Sequence, residues 1–257
     1  MIGAAFSVAY VACSSPYQEA TVSTDAGNDV LPEAGADVAR DAPCSATFCD
    51  DFDQEGRPDD IRGAWDDYAS AGGAHIESDT DFSVSSPRSI LFVYPPSNGT
   101  PNVAYLEKRF SVAPTSIQLA FDYRLDTVAT QGVAAVVLAL TMGSGNPSYT
   151  ANVRVRPEGS PVLGETIPRQ DGSVGYPSQS SPTKIARYKP VRLAVDVTVS
   201  DSASVLVLKV NGVEVDRRAL SAHQFRGPLT VRIGDSNLTE NEASWTFRID
   251  NLILDVK

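Results

Sequence analysis

The chain has 257 residues, 42% of them hydrophobic and 21% charged, with a formal net charge of -11. That sign argues against nucleic acid as a partner, because gripping phosphates takes a surplus of Lys and Arg that no stretch here supplies. The only two His, His75 and His223, argue against a multi-His metal centre or a pair of catalytic imidazoles, and three Cys occur, Cys13, Cys44 and Cys49.

Residues 1–13 are small and apolar and end in Ala12-Cys13. This resembles the end of a bacterial lipoprotein signal peptide, in which the Cys is lipidated and becomes the mature N-terminus. Tyr10 departs from the usual Leu, and a positively charged leading region is missing. A plain secretory signal is the alternative. The apolar run is far shorter than the roughly 20 residues a membrane-spanning helix needs. Residues 14–43 hold six acidic side chains against Arg40 and show no apolar periodicity, so they read as a disordered, self-repelling linker. Cys44 and Cys49 then form an even pair in an exported chain, which reads as a disulfide at the entrance of a domain spanning 44–257. The expected address is the cell envelope, lipid-anchored at the outer membrane or cell surface, with secretion as the alternative.

The domain is expected to be all-β. Phe48 to Phe52 reads as a first strand, a polar loop follows, and Trp65 opens a second segment. Residues 74–77, 88–94 and 103–110 continue as strands. Ile117, Leu119, Phe121, Tyr123 and Leu125 alternate with Gln118, Ala120, Asp122 and Arg124, which is the period of a half-buried strand. Residues 133–140 form an almost unbroken apolar run and read as a central strand covered on both faces. Ala151, Val153 and Val155 oppose Asn152, Arg154 and Arg156. Residues 158–182, rich in Gly, Pro, Ser and Gln, read as a long loop with weak strand character. Val191, Leu193, Val195, Val197 and Val199 alternate with polar or small residues, and a more apolar strand runs from Val205 to Val210. Asn211-Gly212 supplies the two positive-φ positions of a type I′ hairpin. Leu229 to Ile233 is another strand. In the last strand Trp245, Phe247 and Ile249 share one face before Leu252, Leu254 and Val256 take over, so a bulge is expected near Asp250-Asn251. Many short strands with turn chemistry between them predict a two-sheet antiparallel sandwich or jelly roll.

Three stretches together resemble the concanavalin A-like lectin/glucanase jelly roll: Asp50-Asp51-Phe52 followed by Trp65, the hairpin region from Val191 to Val215, and the closing strand from Phe247 to Asp255. The resemblance covers 44–257 and implies that first and last strands pair, and that one sheet binds glycans in many members. Glycoside hydrolases of this fold carry two Glu in a Glu-x-Asp-x-x-Glu strand. Glu214-Val-Asp216 supplies the first half, but Ala219 stands where the second Glu belongs. Alginate-lyase-like members use a Gln-Ile-His strand and a Tyr-x-Lys segment. Here Gln224 follows His223 in the wrong order, and Arg187-Tyr188-Lys189 is an isolated echo.

These readings lead to an expected non-catalytic carbohydrate-binding sandwich with no catalytic residue. A polysaccharide lyase or glycoside hydrolase on the same fold is the alternative, and an adhesion or structural module the second. Arg124, Arg154, Arg156, Arg192, Arg232 and Arg248 fall on polar strand faces. Gathered on one sheet they would grip an anionic glycan, since guanidinium binds carboxylate in a bidentate fork. Otherwise Asp122 and Asp196 would pair them on an ordinary solvated face. Tyr149, Tyr176 and Tyr188 border loops and are expected to be exposed for stacking on sugars, whereas Trp65 and Trp245 belong to the core. Asp50, Asp51 and Asp250, with Asp53 nearby, would offer the hard oxygen ligands of a structural calcium ion if the terminal strands pair.

Overall fold

The computed structural model describes residues 45–53, 64–81, 83–85, 87–97, 99–127, 134–143, 149–168, 174–175, 178–200, 203–220, 227–239 and 243–257. Cys13, the 14–43 linker, Cys44, Tyr176, His223 and Gln224 lie outside them.

The period-two alternation resolves into sixteen strands among the described residues. In chain order they are β1 (Phe48–Asp50), β2 (Asp67–Ala71), β3 (His75–Asp79), β4 (Ser89–Tyr94), β5 (Asn102–Phe110), β6 (Ser116–Thr127), β7 (Ala135–Met142) and β8 (Tyr149–Val155). Then follow β9 (Pro161–Pro168), β10 (Val174–Gly175), β11 (Ser178–Ser180), β12 (Pro190–Thr198), β13 (Ser204–Val210), β14 (Val213–Leu220), β15 (Leu229–Leu238) and β16 (Trp245–Val256). They form two eight-stranded antiparallel sheets. The first runs β14-β13-β12-β6-β16-β4-β3, with β1 against β16. The second runs β10-β9-β8-β7-β15-β5-β2, with β11 against β9.

The apolar phase of each strand meets in one core between the sheets. Phe92 and Phe247 stack at 4.9 Å, and Tyr123 leans on Phe247 at 5.6 Å. Trp65 and Trp245 are both buried. Burying a ring such as Phe247 is worth about 3–5 kcal/mol against truncation to Ala.

Local signals are placed where the chain's chemistry requires. Asn211 and Gly212 take φ of 51° and 79° and join Val210 to Val213. The register of β16 shifts between Asp250 and Ile253, and Asn251 has φ 48°, which moves the inward phase from Ile249 to Leu252. β1 pairs with β16, so first and last strands lie side by side.

Two expectations are corrected. The first strand stops at Asp50, because Asp50 Oδ1 accepts the Phe52 N–H at 2.9 Å and turns the backbone to φ 58° at Phe52. Residues 158–182 hold β9, β10 and β11 rather than a long loop. Pro161-Val-Leu-Gly lacks polar alternation because Val162 and Leu163 are both buried, the latter packed into the core beside β8.

Candidate functional site

Alternation places the strand Arg residues outward, and the strand order then divides them between two faces. Arg124, Arg192 and Arg248 lie on the first sheet. There Arg192 reaches Asp122 at 3.3 Å and the Asn251 carbonyl at 2.8 Å. Arg124 Nε meets Asp126 at 2.5 Å, and Arg248 is clamped between Asp79 and Asp126. Lys209 closes the row on Asp196 at 2.6 Å. The strand Arg residues of this face are thus ion-paired: Asp122 takes Arg192 as the paired-face alternative expects, whereas Asp196 takes Lys209, and Asp126 takes Arg124 and Arg248.

The outer face of the second sheet is different. A groove of about 370 Å³ opens over β7, β8, β9 and β15, lined among others by Asn152, Arg154, Thr166, Arg232 and Asp235. Arg154 Nε donates to Asn152 Oδ1 at 3.1 Å. No described carboxylate lies within ion-pair distance of Arg154. With Nε occupied, its two terminal NH₂ groups are left for the groove. Gly164 explains the arrangement: it sits opposite Asn152, and a Cβ there would lie 2.6 Å from Asn152 Oδ1. Only glycine lets the carboxamide lie flat across β9.

Arg232 borders the groove from β15 but is committed. Its Nη2 meets the buried Glu107 at 2.6 Å, its guanidinium lies 4.1 Å from the Tyr105 ring centre, and Arg109 holds the other Glu107 oxygen at 2.6 Å. Tyr105 stands beside Gly234 across the β5–β15 ladder. Gly234 has φ 97°, and a Cβ there would collide with the Ala104 carbonyl and the buried Phe92 ring, so only glycine fits this turn. Asp235 follows, buried, its carboxylate accepting the N–H groups of Val136 and Asn237 at 2.8 Å each. Burial pushes the Asp235 carboxyl above the ordinary range, against the pull of those two N–H bonds and of the Arg154 and Arg232 charges.

The remaining expected site residues are scattered. Tyr149, expected at the surface, is buried. It shares the phase of Ala151 and Val153, and its hydroxyl donates at 2.9 Å to Glu165, which also holds Arg218 at 2.5 Å between the sheets. Tyr188 is 64% exposed on the segment before β12. Asp50 accepts Phe52 N–H and, at 2.7 Å, the Trp65 indole N–H, while Asp250 accepts the N–H groups of Val84 and Ser85 at 2.7 and 2.9 Å. Asp51 accepts the Asp53 N–H at 3.2 Å. Among the described residues no three His, Cys, Asp or Glu side chains gather to hold a metal ion. Glu214 and Asp216 also part: Glu214 is exposed on Arg217, while Asp216 turns inward.

Sequence reasoning passed over Asn152, Gly164, Tyr105, Glu107 and Asp235. The first was visible as the polar-phase neighbour of Arg154. Gly164 lay in a stretch read as loop, and Asp235 acquires its place only through the turn at Gly234.

No protein-family model matches the chain, and no curated protein matches it by sequence. Solved structures match its fold. The endo-β-1,4-glucuronan lyase of the fungus Trichoderma reesei aligns at TM-score 0.62 with 9% identity, covering 83% of this chain and 96% of that one. A cellulose-induced protein aligns at 0.56 with 11% identity, over 80% of this chain and 96% of its own. An alginate lyase from a Chlorella virus aligns at 0.52 with 10% identity, over 70% and 89%. These likenesses overturn the expected non-catalytic carbohydrate-binding sandwich. Two of the three are polysaccharide lyases that carry this architecture over most of their length. The chain shares the jelly-roll sandwich fold of these proteins.

Proposed function

We propose that the protein is a polysaccharide lyase acting on a uronate-containing glycan, with its active site in the groove on the second sheet. The observation that carries this reading is Arg154, held through Asn152, with no ion pair among the described residues and only the charge of the buried Asp235 near it in the groove. The two lyase folds support it.

β-Elimination in a uronate begins with an unreactive C5 proton, acidified only if the adjacent carboxylate charge is neutralised. Arg154 is assigned to grip that carboxylate in a two-pronged fork and to stabilise the enolate that forms as the C5–H bond breaks. Tyr105 is assigned to move the proton from C5 to the departing O4. The C4–O4 bond breaks, the C4=C5 double bond forms, and no water is consumed. Arg232, locked by Glu107, is assigned to fix the Tyr105 ring rather than to bind substrate.

The test is incubation with polyglucuronate and with alginate, following the ultraviolet absorbance of the unsaturated uronate end. Wild type forms it, whereas Arg154→Ala and Tyr105→Phe lower the rate at least about 100-fold, as loss of a transition-state contact or of general acid–base help predicts. Hydrolytic products without unsaturation, or full activity in Arg154→Ala, would refute the assignment.

We further propose export, with lipidation at Cys13 anchoring the protein at the cell envelope and a Cys44–Cys49 disulfide closing the domain entrance. The sequence of 1–13 supports the first, and the disulfide-bonded state of Cys49 supports the second.

A further inference from the structure

The chain is strongly acidic, yet residues 181–190 contain three cations and no acid. Lys184, Arg187 and Lys189 are exposed and make no ion pair among the described residues. Tyr188 stands between the last two, 64% exposed as a residue and with φ at 60°, a left-handed conformation that costs a bulky residue strain. The backbone beneath is firmly tied: Ser181 N donates to the Pro161 carbonyl at 2.9 Å, Ile185 N to Gly159 at 3.0 Å and Tyr188 N to Leu125 at 2.8 Å. Ile185 is buried. The exposed ring is therefore held up by a fixed base.

Part of this segment packs against the turn that follows β8, the strand that carries Arg154 into the groove. Along β8 the outward residues are Asn152 and Arg154, and Arg156 follows one alternation later, exposed and likewise without an ion pair. Arg156 closes a turn whose Gly159 carbonyl accepts Ile185 N–H. Lys184 thus stands beside the turn at the end of β8 that carries Arg156, and the chain crosses from there to Tyr188, whose N–H reaches the Leu125 carbonyl near the end of β6.

We propose that Arg156, Lys184, Arg187, Tyr188 and Lys189 form a second glycan contact beyond the groove, which binds the continuing chain of an anionic polysaccharide. Tyr188 stacks on a sugar face and the four cations take carboxylates. The proposal rests on the lyase reading for the identity of the polymer. It adds that the protein prefers long chains to short ones.

The experiment measures Kd and cleavage rate of the full chain on long-chain polyglucuronate and on its trisaccharide, at two salt concentrations. The variants are Tyr188→Gly, the pair Arg187→Ala with Lys189→Ala, and Arg154→Ala. Glycine adopts φ near 60° without strain, so Tyr188→Gly keeps its melting temperature and isolates the ring. Both outer variants are expected to lower the ratio of long-chain to trisaccharide affinity about three- to tenfold, and the paired variant also flattens the salt dependence. An unchanged ratio in both variants overturns the proposal. If no unsaturated product forms with any protein while the outer variants still weaken long-chain binding, the second contact stands and the lyase reading falls.

Discussion

Gly164→Ala isolates the contact on which the candidate site depends. The new methyl carbon would lie 2.6 Å from Asn152 Oδ1, far inside van der Waals contact. The obstructing atom is the tip of a side chain, so the backbone need not move, and the carboxamide rotates away instead. Gly164 has no positive φ, so alanine fits the strand and recovers about 0.5–1 kcal/mol of the conformational cost of glycine. Against this stands the hydrogen bond from Arg154 Nε to Asn152 Oδ1, a bond to a charged donor worth about 1.5–3 kcal/mol. The gain offsets only part of the loss, and urea unfolding should show a net loss of about 0.5–2.5 kcal/mol. Function does not share the compensation, because a freed guanidinium no longer points its fork into the groove. Cleavage of polyglucuronate should fall about tenfold in kcat/KM, equivalent to about 1.4 kcal/mol. Asn152→Ala should produce the same loss, and Gly164→Ala should add nothing once Asn152 is gone. Losses that multiply in the double variant, or a single variant as active as wild type, would show that glycine is not there for Asn152.

Two stability predictions rest on buried charge. Arg218→Met leaves Glu165 buried with only the Tyr149 hydroxyl, so unfolding free energy should drop by about 3 kcal/mol. Adding Glu165→Gln should restore part of it, and a drop under about 0.5 kcal/mol in the single variant would mean the inter-sheet pair carries no stability. Asp250 supplies the pH dependence. Burial pushes its carboxyl up to about 6, although N–H bonds from Ser85 and Val84, the Ser85 hydroxyl and Asn251 N–H favour the ionised form. In the unfolded chain the group titrates near 4. The folded state therefore holds the proton more tightly: the contribution is full below about pH 4 and is lost as pH rises to about 6. The stability of wild type relative to Asp250→Asn should fall by no more than about 3 kcal/mol across that window, measured by denaturation at each pH. A difference that stays flat, or rises with pH, contradicts this reading.

The alternation of Leu193, Val195 and Val197 with Arg192 and Asp196 is a local property of the chain, and so is the pair of positive-φ residues at Asn211-Gly212. Both could be read without partners, as could the phase change at Asp250-Asn251, and together they specify an all-β sandwich. Even the burial of Tyr149 was legible, since it keeps the parity of Ala151 and Val153. It was misread because it borders a loop.

Which strands lie side by side is a different kind of fact. Arg124, Arg154, Arg192 and Arg232 look alike along the sequence, and all four do point outward. Only the strand order sends Arg124 and Arg192 to a face where Asp122 and Asp126 neutralise them, and Arg154 to one where no described carboxylate reaches it. Gly164 faces Asn152, and Glu107 faces Arg232, through pairings set by the registers of the second sheet. Side-chain period is set by the backbone of one strand. Charge balance and fit are set between strands, in one case more than a hundred residues apart, so local alternation is enough to read the sandwich, while strand pairing settles which of its faces carries the groove.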